Sequence, residues 1–134
     1  MRVKSITCIA LLLLVLMGCS SSDELRRSQA REAAVGTVAA LVRNDSAEIE
    51  HRFGRALTDS ERLQFVERLP SRFGGDPKMY AAKPTTGIDW DSPVVWLTVT
   101  QANTVPPIPA VVDVGLYWDD ESDEWHAVDV VSQY

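Results

Sequence analysis

Residues 110–131 read AVVDVGLYWDDESDEWHAVDVV, two β-branched and aromatic runs joined by six polar, mostly acidic residues. β-branched and aromatic side chains suit a pleated, half-buried surface. The stretch therefore predicts a strand over 110–118, a turn over 119–124 and a strand over 125–131. Val112, Val114, Leu116 and Trp118 alternate on one face, as do Val128 and Val130 on the next strand. Matching the two faces pairs Leu116 with His126, Val114 with Val128 and Val112 with Val130, because a slip of one residue would expose half of them. The opposite face then sets Asp113 against Asp129 and Tyr117 against Trp125.

The same composition recurs upstream. Residues 94–100, VVWLTVT, predict a third strand, and Met79 to Ala82 a short, less certain fourth. Asn103 to Pro109 carries three prolines and reads as an irregular loop or edge. Residues 71–87 are loop-rich, with Gly74-Gly75-Asp76-Pro77 as a turn. Before these the periodicity is helical. Thr58-Asp59-Ser60-Glu61 is a capping box opening a helix with Leu63, Val66 and Leu69 inward, stopped by Pro70. Asp45-Ser46-Ala47-Glu48 is a second capping box, placing Ile49 and Phe53 on one face of a short helix that Gly54 ends. Residues 23–43 place Val35, Val38, Leu41 and Val42 on a stripe filled in by alanines, and Gly36 there permits close packing. Helices first and an antiparallel sheet of three to four strands last predict an α+β fold, the long helix and the short ones packed on the C-terminal sheet.

The chain has 134 residues. Its start differs from the rest. Arg2 and Lys4 precede an apolar run from Ser5 to Met17, thirteen residues against the roughly 20 a membrane-spanning helix needs. A basic start, a short apolar core and small residues read as a signal peptide over 1–18, which removes Cys8. Residues 19–27 then form a polar tether and 28–134 a single domain. The mature chain keeps 11 bases against 19 acids, net −8. That excludes a nucleic-acid role, which needs a basic face, and a polybasic membrane patch. One mature cysteine excludes an internal disulfide, so the hydrophobic core must hold the domain.

Leu16-Met17-Gly18-Cys19 resembles the lipobox of bacterial lipoproteins. The resemblance implies cleavage between Gly18 and Cys19 and a covalent diacylglycerol on the Cys19 sulfur, with no other cofactor. Two acyl chains anchor stably where one does not. It also implies an exported protein held by lipid on the cell membrane or outer membrane, facing periplasm or exterior; Ser20 after the cysteine permits outer-membrane sorting. REAAVGTVAALVRND, LTDSERLQFVERL and the terminal Trp125-His126-Ala127-Val128-Asp129-Val130 together resemble small lipoproteins of the NTF2-like (cystatin-like) superfamily, whose function is unassigned.

Few side chains carry chemistry. Asp113 and Asp129, if opposed, divide acid and base roles or bind a cation; the plainer reading is a solvated sheet face. His126, near Leu116 and Trp118, is a candidate general base, with Glu124 the one acid in reach; a satisfied rim histidine is the plainer reading. His51 lies on an exposed helix beside Glu48 with no second ligand, and Asp119 to Glu124 lack EF-hand spacing, so no metal site is expected. Most of Trp90, Trp96, Trp118 and Trp125 read as core. Tyr117 and Trp125 form a patch for an envelope protein partner. The expectation is a membrane-anchored, non-enzymatic binding or accessory module. The alternatives are a small NTF2-like hydrolase or isomerase, and a carrier with a small-molecule or lipid pocket between helix and sheet.

Overall fold

The computed structural model describes residues 2–70, 73–74, 76–101 and 110–132, with side chains from residue 22 onward. Three helices precede four strands. They are α1 (Arg2–Arg43), α2 (Ser46–Phe53), α3 (Asp59–Glu67), then β1 (Tyr80–Pro84), β2 (Val95–Gln101), β3 (Val111–Asp119) and β4 (Glu124–Ser132). The strands form one antiparallel sheet in the order β1-β2-β3-β4, and α1 touches all four. This is the expected α+β architecture, and the doubtful fourth strand is present.

Local chemistry sets the helix ends. Asn44 adopts a left-handed φ of 50°, and the N–H groups of Asn44 and Asp45 return to the carbonyls of Leu41 and Ala40. That pattern satisfies the last carbonyls of α1 and stops it. Asp45 then accepts the Glu48 N–H, but Glu48 turns to Arg52 at 2.9 Å instead of closing the box. The Thr58–Glu61 box is complete in both directions. Gly54 ends α2 with φ 66°.

Alanine lets α1 lie close to the sheet. Ala30, Ala34, Val38 and Leu41 have no exposed surface, and neither do Leu97, Val99, Val112, Val114, Leu116 and Val130 beneath them. Each larger side chain so buried contributes about 1.5–3 kcal/mol. These side chains form one buried cluster between helix and sheet. Thr37 is buried there too, its hydroxyl satisfied by donating to the Ala33 carbonyl at 2.7 Å. At Gly36 an added Cβ would lie 2.4 Å from the Arg52 guanidinium, so the close approach falls on α2.

Three expectations are corrected. Leu63 is 45% exposed, and Phe65 turns inward instead, with its ring 4.6 Å from Phe53. The tether expected at 19–27 lies within α1, because residues 23–34 are rich in Glu, Leu, Arg, Gln and Ala, all strong helix formers.

The hairpin register is the third. Asp119 pairs with Glu124, Trp118 with Trp125, Tyr117 with His126 and Leu116 with Ala127; a bulge follows, and Gly115 pairs with Asp129 and Val114 with Val130. Two local events cause the shift. Asp123 takes a left-handed φ of 59° and donates its N–H to the Asp119 carbonyl at 2.8 Å, which makes the turn one residue longer. The bulge then inserts Val128 as the extra residue, 42% exposed, while Ala127 takes the buried place. Gly75 of the expected turn and the expected loop Asn103 to Pro109 lie outside the described residues.

Candidate functional site

The β3–β4 hairpin carries Trp118 and Trp125 as cross-strand partners, ring centroids 5.4 Å apart at 71°. Trp90, in the segment leading to β2, sets its ring 6.4 Å from Trp125 at 70°. Edge-to-face pairs of this kind match the ring quadrupoles and hold the rings in place. The start of the described part of α1 closes over them. The Trp125 Nε1–H donates to the Arg26 carbonyl at 2.8 Å. The Arg26 guanidinium stands 4.5 Å from the Trp118 centroid, and that of Arg27 5.2 Å from the Trp90 centroid.

These groups line a cleft of about 390 Å³ together with Asp23, Asp91, Ser92, Pro93 and Asp120. That lies within the size range of small-molecule sites. Trp118 brings a further feature: its Nε1 is buried and has no hydrogen-bond partner among the described residues. A buried donor left unpaired costs about 1–3 kcal/mol. Among the described residues neither Arg26 nor Arg27 forms an ion pair.

Sequence reading missed this cleft. It read most of the four tryptophans as core, set Trp125 with Tyr117 on a partner patch and left both arginines in the tether. The four tryptophans were a signal of number without position.

The other candidates fall elsewhere. His126 is 5% exposed and sits beside Gly54, where an added Cβ would lie 2.7 Å from the ring. Its Nε2 is 3.1 Å from the Ser122 hydroxyl and 3.3 Å from an Asp119 carboxylate oxygen. Ser122 donates to that same carboxylate at 3.0 Å, so Nε2 carries the proton and donates. Nδ1 is buried without a partner among the described residues. The acid beside His126 is therefore Asp119, not Glu124. The Ser122 O–H and the Glu121 N–H hold the Asp119 carboxyl below its ordinary range.

Asp113 and Asp129 are not opposed. Asp113 accepts the Thr98 hydroxyl at 2.7 Å, while Asp129 meets Arg68 of the α3 end at 2.6 Å. The bulge separates them in register. The turn at Asp123, on the other side of the bulge, separates Tyr117 from Trp125: Tyr117 lies opposite His126, its ring 5.7 Å away, and Trp125 belongs to the cleft. His51 is exposed, and Glu48 beside it serves Arg52. Among the described residues no group of three or more His, Cys, Asp or Glu is placed to hold a metal ion, and no helix is long and apolar enough to cross a membrane. Gly18 and Cys19 fall within α1, outside the residues whose side chains are described. No protein-family model, curated protein or solved structure matches the chain.

Proposed function

We propose that this chain is a lipid-anchored protein of the cell envelope whose domain is a non-enzymatic binding module, with the three-tryptophan cleft as its recognition site. The observation that carries the reading is the cleft itself. It combines a floor of three tryptophan rings, two guanidinium groups and three carboxylates. It also begins at Asp23, four residues past Cys19 of the lipobox-like Leu16-Met17-Gly18-Cys19. A diacylglycerol on Cys19 would hold this end of the domain at the membrane. The long helix across a four-stranded meander supports the NTF2-like resemblance.

The arrangement around His126 favours binding over catalysis. A Ser–His–Asp relay needs the hydroxyl and the carboxylate on opposite imidazole nitrogens. Here both address Nε2, and Nδ1 is buried beside Gly54. Asp113 and Asp129 are each engaged with separate groups.

Two measurements on the full chain test the reading. Radioactive palmitate should label the wild type and leave Cys19→Ser unlabelled; equal labelling of both removes the anchor. A photo-crosslinking residue at Asp91, in the cleft, should form an adduct in cells, and one at the exposed Asp59 should not. No adduct at Asp91 removes the cleft as a recognition site.

A further inference from the structure

We infer that the cleft takes a zwitterionic phosphodiester: the phosphate oxyanion is held by Arg26 and Arg27, and the cationic end by the carboxylates of the same lining. This rests on the cleft being the recognition site proposed above.

The unfilled groups on the aromatic side are all donors. A guanidinium stacked on an indole keeps its N–H groups in the ring plane, free to bond an oxyanion in pairs. The Arg26 and Arg27 guanidinium groups stand over the Trp118 and Trp90 rings, and neither forms an ion pair among the described residues. Two forks suit a tetrahedral phosphate better than a planar carboxylate, which one fork satisfies. A neutral sugar fits less well, because the guanidinium groups already stand over the Trp118 and Trp90 rings on which a sugar would stack.

The lining also carries Asp23, Asp91 and Asp120. Three carboxylates beside two guanidinium groups repel a dianion. They favour a ligand whose single negative charge travels with a positive one. Position agrees with this. Arg26 lies seven residues past Cys19, roughly 10 Å at about 1.5 Å per helical residue, which is the depth of a lipid headgroup layer above an anchored Cys19. Zwitterionic phosphodiesters reach such a site as lipid headgroups or as soluble glycerophosphodiesters, and the donor chemistry is the same for both.

The test reads tryptophan fluorescence of the full chain in phosphatidylglycerol nanodiscs, since three of its four tryptophans line the cleft. Soluble glycerophosphoethanolamine should give a saturable change. If the change instead requires phosphatidylethanolamine in the disc, the source is the lipid headgroup; either result supports the inference. Arg26→Gln with Arg27→Gln, both exposed positions on α1, should weaken the response about tenfold or more with an unchanged far-ultraviolet circular dichroism spectrum. Responses to neither compound, an equal response in the double variant, or a response only to glycylglycine or maltose would overturn it. In any of those cases a surviving crosslink at Asp91 leaves the binding-module reading standing, so the two failures are distinguishable.

Discussion

Tyr80 sets burial against polarity at a single residue. Its ring packs edge-on against Phe73 at 5.5 Å, while its hydroxyl oxygen is buried with no hydrogen-bond partner among the described residues. Burial pushes the phenol above its ordinary value, against a smaller opposing pull from Arg43. The folded value therefore exceeds the unfolded one. Its contribution to stability is fully present below pH 10.0, the ordinary value. It is lost as pH rises from there through the folded value, because the unfolded chain ionises first. Tyr80→Phe removes an unpaired hydroxyl and keeps the ring. Stability at neutral pH should rise by about 1 kcal/mol, and the alkaline loss should flatten. Urea denaturation at neutral pH and above pH 10.0 measures both; a variant less stable than wild type would mean that the hydroxyl has an acceptor.

Among the elements, the hairpin is organised by one carboxylate. Asp119 accepts the Glu121 N–H and the Ser122 hydroxyl, both at 3.0 Å, and its other close neighbour is His126. These bonds favour the ionised form, so the folded value lies below the ordinary 3.8. The stabilisation is present above that ordinary value and is lost as pH falls through the folded one. In Asp119→Asn, melting temperature should lose part of its decline on acidification, and amide protection over Asp120 to Glu124 should fall at neutral pH. The remaining acid dependence includes Glu61, whose carboxyl Arg55 holds low. An unchanged acid limb in the variant would show that the turn does not depend on this carboxylate.

What was legible in the chain follows the same division between local and distant causes. The ends of α2 and α3 were readable because Asp45, Thr58, Glu61 and Gly54 act within four residues of themselves. The sheet was readable because alternation at Val112, Val114 and Leu116 survives any turn geometry. The hairpin register was not, since Asp123 is left-handed without being glycine and the bulge at Val128 leaves no local mark. The cleft was least legible. Its closing hydrogen bond joins Arg26 and Trp125, 99 positions apart, and arginine in a charged helix start looks the same whether or not tryptophan waits for it.

At the scale of the whole molecule, that one bond ties Arg26 of α1 to Trp125 of β4, 99 positions along the chain. Residues 22–29 are all exposed, and Ala30 is the first buried position among the α1 residues whose side chains are described. Residues 22–29 of the helix are thus held by the Trp125-to-Arg26 hydrogen bond and by the two arginine–tryptophan contacts, not by the core. Helix ends with few buried contacts open locally at low cost, without the rest of the fold. Trp125→Phe keeps an aromatic ring and deletes the donor. Global stability should fall by about 1 kcal/mol, the net worth of one such bond. Amide exchange should accelerate mainly over residues 24–30, leaving β2 and β3 protected as in the wild type. Hydrogen exchange read by mass spectrometry separates the two effects. Uniform loss across the sheet with an unaffected helix start would place Trp125 in the core's energetics and dissolve the link. Selective fraying would instead show that the cleft and the position of α1 are one structural unit, so that a ligand bridging Arg26, Arg27 and Trp118 would tighten the helix start it binds.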